Sequence, residues 1–600
     1  MAESLLFSFA ESLIGKLATA AVQEASLALG VHSELKQMKA TMALIKGVLL
    51  DAEKKNPQSS ALNEWLTQIK RVFSDAEDIV DDFECEALRK HVVNTYGSCS
   101  RKVRRFFSSS NPVVYGLRMA HHIQDINTRL TKLSTQLSMF GLQIIDHDTR
   151  VVHVREMTHS HVNPSHVTGR EHDKNEIVNL LMQDALGFLP PPKESESMVD
   201  VANHLVYELW SRSFLSDYFD LGADSTFTLH DLMYDLVVHI AKGEFERINL
   251  RNQKFPENAQ HLVFMENNLH GQAFPHTGLK SVYLSQGMNN EAFLIKLVSR
   301  CKYLRILGLY SSEIESLPYS IGKLKHLRHL NLQFSKKLRR LPDSVCKLQN
   351  LQTLDLLGCV ELQKLPKGMR NLISLRNLYI TTKQVDFSEK DIAVLTTLEN
   401  LNISYCDNLE SLFNGIQLST LKKLALVGCE SLKSVPFHAI RNVNVLAISN
   451  CDQLELSMGV GSQIPDSRLK YVVLKDLPQL VTLPRWIQGS ANSLQSLLIL
   501  GCINLKELPD WLPTLIYLKS LGICECPNLV SLPDNMHQLT NLERLEMTAC
   551  PELWKRFKPG VGQDWLCQRS WPQILATVDV DALSIAIHWL MKMVREERCV

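Results

Sequence analysis

Residues 351–359 read LQTLDLLGC, and the same pattern stands 24 residues upstream at 327–332 as LRHLNL and 24 downstream at 375–380 as LRNLYI. Leucine or another aliphatic residue occupies the first, fourth and sixth places of each copy. Searching outward, the first aliphatic residue of the motif falls at 304, 327, 351, 375, 398, 421, 443, 469, 494, 518 and 542, in steps of 22 to 26 residues. A weaker copy, Leu279, Val282 and Leu284, precedes them. A period of this length marks a short strand plus a returning segment that cannot bury its own apolar side, so neighbours must stack into one continuous core. Leu-Pro pairs recur between the motifs at 317–318, 341–342, 365–366, 483–484, 508–509 and 532–533. Proline suits a turn away from a strand, where its missing N–H does no harm. Residues 255–556 are therefore expected to form a C-terminal α/β leucine-rich-repeat solenoid.

Seven cysteines, Cys359, Cys406, Cys429, Cys451, Cys502, Cys526 and Cys550, each follow the first aliphatic residue of their repeat by eight places. That slot calls for a small, partly polar side chain turned into the stack, so buried structural thiols are expected. Cys524 and Cys526 form only a C-x-C pair without a second pair at zinc spacing, and no metal site is expected.

The 600 residues carry 64 basic and 64 acidic side chains, so no global field draws the chain to nucleic acid or to an anionic membrane. The N-terminal stretch MAESLLFSFAESLIGKLATAA lacks a basic leading region and is interrupted by Glu11 and Lys16, unlike a secretory signal. No run approaches the roughly 20 apolar residues of a membrane span. Reduced thiols and a cytoplasmic location follow, with a nuclear or peripheral plasma-membrane location left open. The basic run 101–107, RKVRRFF, is read as ordinary surface between helices, membrane contact remaining an unsupported option.

Residues 1–140 contain few glycines or prolines and are expected to form a four-helix bundle from segments Ser4–Leu29, Ser33–Asp51, a third helix, and Val113–Phe140. In the third helix Trp65, Ile69, Val72, Ala76, Ile79 and Phe83 step by four and three, the apolar stripe of an amphipathic helix. Around it the helix is acidic, at Asp75, Glu77, Asp78, Asp81, Asp82 and Glu84. Residues 141–166 form a polar, histidine-rich linker, and 557–600 a tail whose last part, from Asp579, reads as an extra helix.

The segment Glu77-Asp78-Ile79-Val80-Asp81, with the repeats downstream, resembles the acidic motif of plant coiled-coil, nucleotide-binding, leucine-rich-repeat disease-resistance proteins. Within 167–250, Val167-Thr168-Gly169-Arg170 is similar to the entry of that family's nucleotide-binding domain. Leu229-His230-Asp231 resembles its M-H-D motif, at the end of a winged-helix subdomain. The resemblance implies Val167, Gly169, Arg170 and His230 as nucleotide-site residues. Between them the family's Gly-rich phosphate loop is absent, since no G-x-x-x-x-G-K-[ST] occurs. A lone V-x-G-R and a lone H-D have no anion cradle, so no cofactor is expected here, although intact relatives bind ADP or ATP.

The whole is thus expected to be a multidomain, non-enzymatic receptor-like protein of plant defence, its two main domains joined by a winged-helix remnant. By the resemblance its partners are a pathogen effector or a guarded host protein, with self-association or pairing with a full-length relative through the N-terminal domain. The alternatives are a repeat adaptor outside immunity and a residual ADP/ATP switch. One surface is singled out. The residue after the first aliphatic position is expected to face solvent, and this column includes Arg305, Arg328, Arg376 and Lys422. The acidic third helix, with Glu77, Asp78 and Asp81, is expected to dock on this column within the chain.

Overall fold

A computed structural model of the chain describes residues 2–54, 60–96, 112–142, 215–220, 225–229, 244–248, 259–264, 278–284, 291–387, 395–412, 418–435, 441–456, 464 and 466–557. The chain divides into two compact units, one of residues 1–218 and 227–245, the other of 219–226 and 246–600.

Among the described residues the first unit is built on five α-helices: α1 Ala2–Leu17, α2 Ala20–Leu29, α3 His32–Lys54, α4 Ser60–Tyr96 and α5 Pro112–Thr135. The segment expected as one helix from Ser4 to Leu29 is broken at Ala18-Thr19. Thr19 is extended there (φ −63°, ψ 145°). Its Oγ1 donates to Lys16 O at 2.8 Å and Gln23 Nε2 donates to Leu17 O at 2.6 Å, so side chains satisfy carbonyls that end α1. Gly30 closes α2 in the left-handed region, with the Gly30 and Val31 amides returning to Leu27 O and Ser26 O. That pairing is a Schellman cap, and glycine takes its φ of +71° without strain. The expected α4 stripe is buried from Trp65 to Phe83 and joins one core with α1, α2, α3 and α5. Polar ties fix the packing: Trp65 Nε1 donates to Leu133 O at 3.1 Å, and Asn127 Nδ2 to Glu34 O at 2.9 Å.

A two-stranded pair, β1 Leu215–Asp220 and β2 Ser225–Leu229, precedes the repeats. The second unit is dominated by a sheet of fourteen strands among the described residues, arranged in chain order. They are β3 Phe245–Ile248, β4 His261–Phe264, β5 Ser281–Leu284, β6 Ile306–Leu309, β7 His329–Asn331, β8 Thr353–Leu356, β9 Asn377–Ile380, β10 Asn400–Ser404, β11 Lys423–Val427, β12 Val445–Ser449, β13 Tyr471–Lys475, β14 Ser496–Leu500, β15 Ser520–Cys524 and β16 Arg544–Thr548. From β4 to β16 every pairing is parallel and the aliphatic positions align, as in Leu354↔Leu378 and Leu401↔Leu424. Their side chains form one continuous apolar core running the length of the stack. Pro318, Pro342 and Pro484 sit immediately before 3₁₀ turns at φ near −65°, the angle proline fixes in advance. Among the described residues this unit also has two α-helices: α6 Glu291–Arg300 between β5 and β6, and α7 Pro551–Phe557 after β16, which buries Leu553.

From β6 to β16 every strand except β9 is followed by a residue in the left-handed region. Ser311, Phe334, Gly358, Tyr405, Gly428, Asn450, Asp476, Gly501, Glu525 and Ala549 all have φ between +48° and +71°. The next residue enters the core, and there stand the seven periodic cysteines, all buried. Cys359 Sγ donates to Leu332 O at 3.1 Å, Cys429 to Ile403 O at 3.6 Å and Cys550 to Ile523 O at 3.6 Å, each a carbonyl of the preceding repeat. Burial pushes the Cys359 thiol up to about 12 and Cys502 to about 11. Where cysteine is missing, Ser335 takes its place and donates to Leu309 O at 3.2 Å.

Candidate functional site

The strand entries carry a second ladder. In each repeat the residue after the first aliphatic position donates its N–H to the carbonyl of its counterpart one repeat back, and the following residue donates to the same oxygen. Thus Arg376 N and Asn377 N share Gln352 O at 2.8 and 2.9 Å. Lys422 N and Lys423 N share Glu399 O at 2.8 and 3.0 Å, and Lys470 N and Tyr471 N share Asn444 O at 2.7 and 3.0 Å. Hydroxyls one place before the leucines brace the same edge. Thr397 Oγ1 donates to Leu375 O at 2.8 Å, Thr420 Oγ1 to Leu398 O at 2.9 Å and Ser493 Oγ to Leu469 O at 2.8 Å.

On this braced edge the repeats from Leu375 to Leu469 enclose a groove of about 540 Å³. Its charged walls are Arg376, Glu399, Lys422 and Arg468, with Thr396, Ser419 and Asn444 between them. Lys422 Nζ and Glu399 Oε2 pair at 2.8 Å across neighbouring repeats, both open to solvent in part. Among the described residues no carboxylate lies within ion-pair distance of Arg376 or Arg468. The groove therefore offers three cations against one anion, and two of the cations have no carboxylate partner among the described residues. Nothing in this set is a nucleophile beside a base, and among the described residues no cluster of histidine, cysteine, aspartate or glutamate could hold a metal.

The hollow face of the sheet changes character along its length. Toward the start its side chains are polar and bonded across repeats, as Asn331 Nδ2 to Tyr283 Oη at 3.2 Å and Asn377 Nδ2 to Thr353 Oγ1 at 3.0 Å. From β11 onward Ala425, Ala447, Leu500 and Cys524 form a separate apolar cluster with Val473 and Leu498. The sequence carries this signal in the fifth motif position, Ala425, Ala447, Val473 and Leu498, three places beyond the column of basic residues.

Known proteins match the chain in three blocks. Residues 9–111 match the Rx N-terminal domain, 168–237 the disease resistance protein winged helix domain, and 279–500 a leucine-rich repeat region. The chain belongs to the plant coiled-coil, leucine-rich-repeat disease-resistance type. Similar curated proteins of this type include putative disease resistance protein RGA1 of Solanum bulbocastanum, 32% identical over 343 residues, covering 54% of this chain and 32% of that protein. Disease resistance protein RGA2 of the same plant is 31% identical over 179 residues, 30% of this chain and 17% of that one. Putative disease resistance RPP13-like protein 1 of Arabidopsis thaliana is 27% identical over 154 residues, 25% and 14%. The aligned regions thus span a third or less of these relatives.

In this disease-resistance-type chain the expected contact residues do not all lie open. Arg376 and Lys422 are exposed on the groove, whereas Arg305 and Arg328 are only 1% and 8% exposed. The reason is positional: the strands begin one residue later, so this column precedes the pleat and alternation does not fix where its side chains go. Glu77, Asp78 and Asp81 are likewise buried, at 4, 8 and 2%, and are no open acidic strip. Glu77 accepts an ion pair from Lys16 of α1 at 3.3 Å. Val167, Gly169, Arg170 and His230 lie outside the described residues.

Proposed function

We propose that this chain is a recognition component of plant defence that binds a protein, a pathogen effector or a guarded host protein, through its repeats and without a nucleotide switch of its own. The observation that carries this is the braced groove on the strand entries, with its exposed arginines, beside an apolar strip on the hollow face. Both are features of a binding surface, and neither contains catalytic chemistry. The loss of the switch rests on sequence: the winged-helix match begins at residue 168, and no phosphate loop occurs anywhere in the chain. Pairing with a full-length relative through the helical unit is the second part of the reading. Leu27, Leu44 and Leu117 stand exposed there on α2, α3 and α5.

Unfolding of the purified chain followed against added ADP and ATP tests the first claim. A surviving site of micromolar affinity would, at about 1 mM nucleotide, add about 4 kcal/mol to stability and move the midpoint by several degrees. No movement is the expected result. A clear nucleotide-dependent rise would restore a switch to this molecule. Capture of a protein partner that Leu498→Glu on the hollow face, or Arg376→Glu on the groove, fails to weaken would remove the repeats from its recognition.

A further inference from the structure

The last of the seven periodic thiols differs from the rest in access. Cys550 is 4% exposed, whereas the other six are 0% exposed. It follows β16, the edge strand of the sheet, so among the described residues a repeat flanks it on one side only. An end repeat is held by one interface instead of two, and it opens ahead of the middle of the stack. Cys526 is its neighbour one repeat back. Cys524 and Thr548 are in register across β15 and β16, and each strand then passes through a left-handed residue, Glu525 or Ala549, into its cysteine. Cys526 Sγ and Cys550 Sγ each lie 3.4 Å from the carbonyl oxygen two residues back, Cys524 O and Thr548 O. The two side chains thus hold the same pose, one strand step or about 4.8 Å apart. That step falls within the Cα separation of about 4.4–6.8 Å that a disulfide spans, so side-chain rotation is enough to join the sulfurs.

The contact between them also favours charge on one sulfur. The Cys526 amide donates to Cys550 Sγ at 3.4 Å. Donation from the Cys526 thiol, with this amide, holds the Cys550 thiol below its ordinary pKa, while the same contact and burial push Cys526 up. We propose that Cys526 and Cys550 form a modification site, where a small hydroperoxide oxidises Cys550 and Cys526 converts the product into a disulfide between neighbouring repeats. The Cys550 thiolate attacks one peroxide oxygen and the O–O bond breaks. The other oxygen leaves with the proton that the thiol released, as water or an alcohol, and Cys550 becomes a sulfenic acid. The Cys526 sulfur then attacks Cys550 Sγ, the S–O bond breaks, and the hydroxyl departs with the Cys526 proton as water. The two thiols give up two electrons and two protons, and the hydroperoxide accepts them all. Access selects the oxidant: the narrow opening at Cys550 admits a molecule of two oxygen atoms and shuts out an aromatic disulfide.

The test treats the reduced, native full chain with hydrogen peroxide, blocks the remaining thiols in denaturant, and digests with trypsin for mass spectrometry. Cleavage separates Ser520–Arg544, which carries Cys526, from Leu545–Lys555, which carries Cys550. The two fragments are expected to appear joined, lighter by two hydrogens than their sum, before any link forms between Cys429 and Cys451. A reducing thiol should part them again. Serine suits the slot, because Ser335 occupies it in an earlier repeat and donates to Leu309 O at 3.2 Å. Cys526→Ser and Cys550→Ser should therefore keep the unfolding midpoint near the parent value and lose the link, while Cys524→Ser retains it. In Cys526→Ser the sulfenic acid is left unresolved, and dimedone should tag Cys550. The unsubstituted chain decides the matter even if a variant folds poorly. Absence of the joined fragments from the native chain, their appearance only in denaturant, or earlier linkage of Cys429 to Cys451 each overturns the proposal. So does a link that persists in Cys526→Ser, since another thiol would then be the partner of Cys550.

Discussion

Gly428 leaves its strand at φ +62°, and a methyl group on it would come within 2.7 Å of the Tyr405 ring from the preceding repeat. Gly358 stands in the same relation to Phe334, at 2.5 Å. At these two places glycine answers both a left-handed backbone and a large neighbour in the same column one repeat earlier. Gly428→Ala is therefore expected to cost about 2 kcal/mol, from left-handed strain together with displacement of Tyr405. Glu525 holds the same left-handed backbone at φ +54° with an exposed side chain and no such need. Glu525→Gly should relieve strain and gain about 0.5–1 kcal/mol. Urea midpoints of the two variants that moved in the same direction would contradict this account.

At the scale of elements, the strands, the α4 stripe and the periodic thiols were legible because each repeats a simple spacing that burial enforces. The break between α1 and α2 was not. Ala18 and Thr19 carry no glycine or proline signal, and the turn is held by Thr19 and Gln23 reaching carbonyls that only the folded chain presents. The exposure of the strand-entry column was half legible: Arg376 and Lys422 face solvent, but no pattern in sequence separates them from the buried Arg305 and Arg328. Their difference depends on what packs over each strand entry. The thiol ladder gives this scale its prediction. All eleven cysteines among the described residues are buried, and burial raises the Cys301, Cys346, Cys359 and Cys524 thiols to about 12. Burial keeps a reagent from the sulfur and, at these four, also suppresses the reacting thiolate, so the eleven buried cysteines of the fourteen should resist an aromatic disulfide reagent at pH 8 until denaturant is added. Titration of most of the fourteen in native buffer would mean that the slots are open.

For the molecule as a whole, a stack in which each repeat touches only its neighbours should tolerate loss of a complete repeat better than loss of part of one. The left-handed column makes a finer distinction. Two adjacent repeats have the same length, Leu494–Tyr517 and Leu518–Asn541, 24 residues each. Removing Leu518–Asn541 joins the Gly501 repeat to the Ala549 repeat, sets Cys550 one step from Cys502, and keeps the leucines in phase. Removing Leu494–Tyr517 also keeps the phase, but it deletes Gly501. A Cβ at Gly501 would lie 1.9 Å from Asp476 Oδ1, and in this variant the side chain of Glu525 takes that place. Both deletions should therefore leave the parallel-sheet circular dichroism in place, with the Leu494–Tyr517 variant melting several degrees lower. Asp476→Gly in that variant should recover part of the difference, because it removes the group that Gly501 had accommodated. Equal melting of the two deletions, or no recovery on Asp476→Gly, would show that leucine phase alone governs the stacking and that the glycines in the column are incidental to it.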